Sequence, residues 1–409
     1  MIFTCSNCQT SHSFNIDFDV VEYICPGCRS EYEFKNGKQL FLRKGRDRSN
    51  ITFEETLKVG NKGTLKGIEY TVIALVLKEV YAQAQWAEYT LMNAKGEIVY
   101  LSECNGHWIF LKEVRTDLII KKRPKQIKYN DIDFYLFEYS NVGIELAKGV
   151  FDYAVPNDKI RVTEYINPPF IMSFEKHSTF YSEFFGEHIS AREIRNGFNC
   201  SVPYRSGVGA IQPFYVNVKN TWMILCVTAL LILGTHFAIY KNQSDQNIVN
   251  ESIPFSKTSN EFISKSFELK GGSAPLGIKV ASNVDNSWAN VQLALVNEKT
   301  GEERYASKDI EYYHGYADGE QWREGSTGES FNICGVPEGK YHLVISAQKA
   351  PNDLSNRSVQ VRATWNQASS RNLYMVFIFM AVFGAIVYYG EVLFERYRWS
   401  ESDYSPYNE

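Results

Sequence analysis

Two long apolar stretches interrupt an otherwise mixed pattern of hydrophobic and polar residues. One runs from Trp222 to Tyr240 and the other from Leu373 to Tyr389, and neither contains a charged residue. A helix of the first stretch would extend about 28 Å, which is close to the hydrocarbon thickness of a bilayer. Aromatic rings at the ends suit the boundary between membrane and water. We therefore expect transmembrane helices at 222–240 and 373–390, with buried core helices as the alternative.

Between residues 51 and 200 the apolar positions alternate with a period of two, which is typical of half-buried strands. The clearest runs are Tyr70–Leu77, Trp86–Leu91, Ile98–Leu101 and Trp108–Leu111. Asn93–Gly96 and Asn105-Gly106 are hairpin turn signals between them. The pattern predicts an antiparallel meander or barrel, followed by a short helix over 191–198.

A second set of short strands is expected between residues 267 and 371. The candidates are Gly277–Ala281, Ala289–Val296, Ser330–Cys334, Tyr341–Ala347 and Ser358–Thr364. Several short strands at this spacing favour a β-sandwich of about 100 residues. The polar segment 241–266 lacks periodicity and is interpreted as a tether. Residues 391–409 are interpreted as a tail whose acidic end, 401–409, is frayed.

Four cysteines lie near the N-terminus in two C-x2-C pairs. Cys5 and Cys8 form the first pair, Cys25 and Cys28 the second, and sixteen residues separate the pairs. This spacing predicts a structural zinc ribbon, which with a basic linker occupies residues 1–48. Four thiolates leave no open coordination position, so the site is not expected to be catalytic. Iron in a rubredoxin-like site and a redox-active dithiol are the alternatives.

The overall charge is close to balanced, with 43 Lys and Arg against 47 Asp and Glu. No global electric field therefore attracts nucleic acid, and we do not expect a nucleic-acid partner. One local cluster is strongly basic: Lys121, Lys122, Arg123, Lys125 and Lys128. It is either a solvated hairpin or a contact with anionic lipid headgroups.

Orientation cannot be taken from charge bias, because the basic residues flanking the two apolar stretches are equal in number. The N-terminus lacks the basic and apolar regions of a signal peptide, and thiolate clusters persist more readily in a reducing compartment. We expect both termini in the cytoplasm and 241–371 outside it. The expected fold class is mainly β with two transmembrane α-helices: an N-terminal zinc ribbon, a β-rich cytoplasmic domain and an extracytoplasmic β-sandwich.

Catalytic signatures are sparse. Cys104 and His107 flank a predicted turn and could form a nucleophile with an adjacent base, but no third orienting group is evident. His177 and His188 lie near glutamates at spacings that do not make a metal-ligand set. No phosphate-binding loop or nucleophile elbow occurs.

Part of the chain resembles a known family. Its motifs are Gly60 and Gly67 before Tyr70-Thr-Val, then Trp86-x-Glu88-Tyr89, Leu101-Ser-Glu103, Gly106-x-Trp108 and the segment Pro168-Pro169 to Glu175. Over about residues 55–200 they resemble the bacterial "domain of unknown function 4178" family. The resemblance implies no established activity. It implies membrane-linked settings beside envelope-stress, ion-channel and polyamine-related proteins.

These observations favour a non-enzymatic adaptor or sensor in the bacterial inner membrane. Its outer β-domain would meet an envelope ligand or partner, and its inner part would recruit a cytoplasmic protein. An enzyme or enzyme subunit of lipid or polyamine metabolism, or a channel regulator, is the alternative.

Overall fold

The computed structural model describes residues 1–409 except 45–52, 81–83, 117, 119–122, 179, 241–245, 259–260, 318, 367–369, 401 and 408–409. The described residues divide into two compact units. The first joins Met1–Val218 to Ile386–Glu409, and the second is Lys219–Ala385. We call them the barrel unit and the sandwich unit.

The barrel unit begins with five short strands around the four cysteines. They are β1 (Ile2–Thr4), β2 (Ser11–Ser13), β3 (Glu22–Ile24), β4 (Glu31–Lys35) and β5 (Lys38–Arg43). Each C-x2-C pair occupies a turn, between β1 and β2 and between β3 and β4. Phe3, Phe14 and Tyr23 are buried and form the small core of this module. A module of this size buries little apolar surface.

The next ten strands and one helix form the bulk of the unit. They are β6 (Lys62–Leu65), β7 (Ile68–Val80), β8 (Ala84–Asn93), β9 (Ile98–Cys104), β10 (His107–Glu113), β11 (Gln126–Tyr129), β12 (Ile132–Phe151), β13 (Ile160–Asn167), β14 (Phe170–Lys176), β15 (Tyr181–Ile189) and α1 (Ala191–Phe198). The strand runs and the short helix expected from the sequence are therefore confirmed.

Eight of these strands close into an antiparallel barrel. The order around the ring is β12-β13-β14-β15-β10-β9-β8-β7, and β7 pairs back to β12. Irregular register between β12 and β7 and within β12–β13 bends the long strand β12, as bulges do in curved sheets. Strand β12 also pairs with β3, which joins the cysteine module to the barrel sheet.

Gly149 allows the barrel to close. Its φ is +103°, and a Cβ there would lie 2.2 Å from the Ile73 carbonyl oxygen. A side chain at this position would therefore separate β12 from β7.

Much of the apolar packing of the barrel unit lies on the outer face of the sheet. Tyr89, Leu101 and Trp108 are buried there with Ile194 and Phe198 of α1. The helix is fixed by its N-cap, because the Ser190 hydroxyl accepts a hydrogen bond from the Glu193 N–H at 3.2 Å.

The sandwich unit contains two antiparallel sheets over one apolar core. The elements are β16 (Gln246–Pro254), α3 (Phe255–Thr258), β17 (Phe262–Ile263), β18 (Phe267–Leu269), β19 (Ala274–Ser282), β20 (Ser287–Asn297), β21 (Glu303–Ala317), β22 (Glu320–Gly325), β23 (Gly328–Val336), β24 (Gly339–Lys349) and β25 (Ser358–Trp365). One sheet has the order β16-β25-β19-β23 and the other β17-β24-β20-β21-β22, with β18 on β24. All five strand candidates fall within these strands.

The tether expected over 241–266 is wrong for most of its described part. Residues 246–254 form β16 and pair with β25 along their length. Val249 and Ile253 are buried in the core, and Ile248 packs against it. An irregular register between Asn247 and Val249 shifts the alternation, so the sequence shows no clear period of two.

The two apolar stretches form helices α2 (Val218–Tyr240) and α4 (Arg371–Arg398). Both are long and apolar enough to cross a membrane, and almost none of their most apolar windows is buried within the protein. Trp222 of α2 packs against Gly384 of α4, where a Cβ would approach the ring to 2.7 Å. Gly384 therefore allows a close contact between the two helices.

The expectation of a frayed tail is also corrected. Helix α4 continues to Arg398, past the predicted end at residue 390, and Trp399 and Ser402 are buried. The Ser402 hydroxyl donates a hydrogen bond to the Phe137 carbonyl at 2.6 Å. The acidic composition of this segment gives no sign that Arg398, Trp399 and Ser402 are buried.

Candidate metal centre and barrel interior

The four N-terminal cysteines meet at one point. Their Sγ atoms all lie within 4.8 Å of one another, with 3.3 Å between Cys5 and Cys28 and 3.6 Å between Cys8 and Cys25. None forms a disulfide. With metal–sulfur bonds of about 2.3 Å, the edges of a tetrahedral site made of four thiolates are about 3.8 Å. The cluster therefore fits a metal ion held by four thiolates.

Groups outside the cysteine set hydrogen-bond to the sulfurs. The Tyr32 hydroxyl lies 3.1 Å from Cys5 Sγ and accepts from the Ser6 N–H at 2.9 Å. Burial by itself raises the pKa of the Cys28 thiol, but hydrogen bonds from Asn7 and Ser30 outweigh it and lower the pKa to about 6. These contacts orient the ligands and favour the thiolate form that binds metals.

The Cys104–His107 pair does not form a catalytic dyad. The two residues are opposite each other in register across the β9–β10 turn. However, His107 Nε2 lies 3.0 Å from the Ser206 carbonyl oxygen, and Cys104 Sγ points to the Gln85 carbonyl at 3.8 Å. Burial lowers the pKa of His107. The histidine is engaged with the backbone, so its position indicates a structural role.

The basic cluster is described only in part, because Lys121 and Lys122 lie outside the described residues. The Arg123 guanidinium lies over the Tyr139 ring at 4.1 Å. Lys128 forms an exposed ion pair with Asp131 at 3.3 Å. Lys125 is exposed. Contact with anionic lipids stays a prediction.

The barrel interior contains a cluster that sequence reasoning missed. Lys78 Nζ on β7 lies 2.7 Å from Glu88 Oε2 on β8 and 2.6 Å from Glu175 Oε1 on β14. Strands β7 and β14 are not neighbours in the ring, so Lys78 and Glu175 reach each other across the interior. Only about 5% of the Lys78 side chain is exposed.

Two further glutamates share this interior. Glu138 on β12 and Glu164 on β13 are cross-strand partners, so both face the same side as Glu175. Burial, followed by the charges of Glu138, Glu88 and Glu175, raises the pKa of Glu164 to about 8. The nearby Lys78 outweighs the burial of Glu175 and lowers the pKa of that carboxyl to about 2. One carboxyl is thus kept protonated and the other ionised in a single compartment.

His177, at the end of β14, completes the cluster. Its Nε2 lies 3.6 Å from Glu175 Oε2, and its ring stacks on Phe180 with centroids 3.9 Å apart. The sequence expectation that His177 and His188 do not make a metal site stays a prediction. Among the described residues, one close group of potential metal ligands occurs, the four cysteines.

A signal for the interior cluster exists in the sequence. Lys78 follows the β-branched run of β7, and Glu88 and Glu164 fall in phase with apolar inward positions such as Trp86 and Val162. A charge in such a phase is unusual for a barrel core. The pairing of strands distant in sequence was needed to show that these charges meet.

One segment of the chain is similar to a described family. The profile is that of the "Domain of unknown function (DUF4178)". Residues 58–191 match it. This segment contains β6 to β15 and none of the cysteine module, so the match covers the barrel itself. The resemblance found in the sequence is confirmed for these residues.

No curated protein matches the chain. Among solved structures, that of the infectious bursal disease virus Gx strain is 10% identical, with 86% of this chain and 70% of that chain covered and a TM-score of 0.17. An exo-beta-1,3-galactanase from Phanerochaete chrysosporium is 6% identical, with 82% and 89% covered and a TM-score of 0.12. TM-scores this low carry no argument about fold or function.

Proposed function

We propose that the protein is a non-enzymatic adaptor or sensor of the bacterial inner membrane. Helices α2 and α4 span the bilayer, the sandwich unit lies outside, and the barrel unit recruits a cytoplasmic partner. The cysteine cluster holds a structural zinc ion in a zinc ribbon. The observation that carries this proposal is the seating of the end of α4 in the barrel unit.

The seat of α4 is built from buried polar and aromatic contacts. The Arg398 guanidinium donates to the carbonyl oxygens of Gly209 at 2.6 Å and Ala210 at 2.8 Å, and also to that of Gln212. The Trp399 ring packs on Phe137 with centroids 5.1 Å apart. Because Arg398 is buried and held by several carbonyls, a displacement of α4 would be transmitted to the barrel.

The same packing supports the orientation. Residues before α2 and after the apolar part of α4 form one compact unit, so they belong on one side of a membrane. Two spans meet that requirement. A thiolate site favours the cytoplasm for this side, because thiolate clusters persist more readily in a reducing compartment.

Cys334 offers a direct topology test, because it is exposed on β23 and is the one cysteine between residues 241 and 371. Intact spheroplasts are treated with a membrane-impermeant maleimide. We expect Cys334 to react in wild type, no labelling of this segment in Cys334→Ser, and reaction of Cys104 only after permeabilisation. Labelling of Cys104 but not Cys334 in intact spheroplasts would overturn the orientation.

The adaptor role is tested by mild crosslinking in native membranes, purification on a C-terminal tag and mass spectrometry. A specific cytoplasmic protein should be recovered with wild type and with the matched control Cys104→Ser. Its recovery should fall when Cys5→Ser and Cys8→Ser are combined, since these changes open the ribbon. Recovery of this protein alone would contradict an adaptor.

A further inference from the structure

The barrel interior has more acid than base. Four carboxyl groups face it, from Glu88, Glu138, Glu164 and Glu175, while Lys78 supplies one ammonium group. Burying several carboxyls without matching cations is unfavourable. A fold selected for stability alone would fill this position with apolar side chains.

Lys78 cannot balance all four carboxyls. It is already paired with Glu88 and Glu175 at 2.7 and 2.6 Å. The Glu164 carboxyl receives no hydrogen bond from the residues that the structure describes, although three other carboxyls surround it. Glu164 therefore has no paired cation among the described residues.

His177 shows a second unmet group in the same place. Its side chain is only 6% exposed, and its Nε2 faces Glu175. Its Nδ1 is buried without a hydrogen-bond partner within the described structure. Buried polar atoms of native proteins are nearly always satisfied, and an exception commonly marks an absent water, ion or ligand.

Several inward-facing side chains of the barrel retain accessible surface. Glu88 retains 24% side-chain exposure although it faces the interior, and Glu164, Trp86 and Tyr100 are only half-buried. On β13, Val162 and Ile166 are buried on either side of Glu164 in the inward phase. Eight-stranded barrels can enclose one small ligand.

We propose that the barrel interior binds a small organic cation, whose ammonium group lies on Glu164 and whose alkyl part lies against Trp86. The excess of carboxyls selects a positive charge, and Trp86 adds a ring face for a cation–π contact. A single metal ion fits less well. Apart from the cysteines, no three potential ligand atoms of the described residues lie within 4.8 Å of one another. This inference goes beyond the adaptor proposal and does not depend on it.

The test is calorimetric titration of the full-length protein in detergent with n-butylammonium chloride. 1-Butanol and sodium butyrate serve as probes of equal chain length without the positive charge. We expect binding of butylammonium and none of the other two. Equal binding of butanol, or binding of butyrate in place of butylammonium, would overturn the proposal.

Variants locate the site. Glu164→Gln keeps the shape of the side chain and should weaken butylammonium binding by about tenfold or more, as the loss of a charged hydrogen bond does. The control is Glu79→Gln, because Glu79 lies next to Lys78 on β7 with its carboxylate on the exposed Gln85 side chain. Unchanged binding in Glu164→Gln, with the fold verified by circular dichroism, would contradict the assignment.

Proton release gives an independent readout. The charged and titratable groups around Glu164 are Glu138, Glu88, Glu175, Lys78 and, beyond Glu175, His177. An ammonium ion favours the ionised form of Glu164, so binding should release a proton near neutral pH and strengthen as the pH rises towards the pKa of about 8 that this carboxyl has in the free protein. Titration in buffers of different ionisation enthalpy measures this proton. Absence of proton release in wild type, or equal release in Glu164→Gln, would contradict the assignment of Glu164 as the ammonium acceptor.

Tighter binding of calcium or zinc chloride than of butylammonium at this site would overturn the proposal in favour of a metal.

Discussion

The two β domains of this protein use opposite kinds of interior. The sandwich core is apolar, with Leu276, Leu293 and Val361 completely buried between its sheets. The barrel unit contains every charged residue that is buried in the described structure, including Lys78, Glu175 and Arg398. The same chain can therefore build a dry apolar core. The charges in the barrel are better explained by function than by a limitation of composition.

Arg398 and the interior charges serve different purposes within the barrel unit. Arg398 closes a socket in which the neighbouring carbonyl oxygens satisfy its guanidinium. Within the described structure, His177 Nδ1 is buried without a hydrogen-bond partner, and Glu164 has no ion-pair partner. Satisfied buried charge fixes an arrangement, whereas unsatisfied buried charge indicates a place for something else to bind.

The largest expected effect is a loss of stability in the cysteine module that leaves the sandwich unchanged. Chelation of the metal, or Cys25→Ser, should remove stabilisation on the order of 10 kcal/mol from the ribbon. Hydrogen exchange of the full-length protein in detergent should then accelerate in β3 and at its partner residues on β12. Strand β19 should be unaffected. Equal protection of β3 with and without metal would show that the site is not structural.

The next effect tests the charged interior. Lys78→Met leaves Glu88 and Glu175 without their cation, so the free energy of opening of the barrel strands should fall by about 3–5 kcal/mol. Lys279→Met is the matched control, because Lys279 lies mid-strand in the sandwich with its side chain exposed. It should change stability by less than about 0.5 kcal/mol. Similar effects of the two changes would remove the contrast between the domains.

The pH dependence should also differ between the domains. The pKa of Glu164 is about 8 in the folded protein, above the value of about 4.3 for an unfolded glutamate. The folded state therefore holds this proton more tightly, so its stabilisation is complete below the unfolded pKa and is lost as the pH rises through the folded value. From the unfolded pKa up to the folded one the barrel should lose a few kcal/mol (about 1.4 per pKa unit at most). Hydrogen exchange corrected for intrinsic rates should show this loss in the barrel, little of it in Glu164→Gln, and none in the sandwich.

The lowered pKa of Glu175 predicts a second change in barrel stability, at low pH. Its pKa of about 2 contributes stability above the unfolded value, and this contribution disappears as the pH falls from about 4 towards 2. Barrel stability should therefore be greatest at about pH 4–5, near the unfolded pKa of a glutamate. A barrel whose stability increases steadily as the pH rises from there to neutral would contradict the assigned protonation states.

A smaller local effect concerns the socket of α4. Arg398→Met leaves buried carbonyl oxygens without donors, which should cost about 1–3 kcal/mol and increase exchange at residues 209–212. Arg396→Met, which changes an exposed arginine of the same helical turn, should have little effect. Intrinsic tryptophan fluorescence should also report greater exposure of Trp399 in the first variant. Identical behaviour of the two variants would argue against a rigid connection between α4 and the barrel.

Local patterns predicted the strands, α1 and the two apolar helices because each depends on short-range periodicity. The cysteine cluster followed from spacing alone. Strand β16 was missed because irregular register disturbs its alternation, and the buried tail because Arg398, Trp399 and Ser402 find partners nearly two hundred or more residues away. The interior cluster depends on β7 meeting β14 across a closed ring. No local pattern contains that information.

The central claim is that the interior charges are retained for binding and not for stability. It is tested most directly by replacing the triad together, with Lys78→Met, Glu88→Leu and Glu175→Leu in one full-length protein. Exchange of the barrel strands at neutral pH measures the free energy of opening. We expect it to equal or exceed that of wild type, because apolar replacements of buried ion pairs are commonly neutral or stabilising. A barrel that is several kcal/mol less stable than wild type would show that the charges hold the fold together, and would contradict the claim.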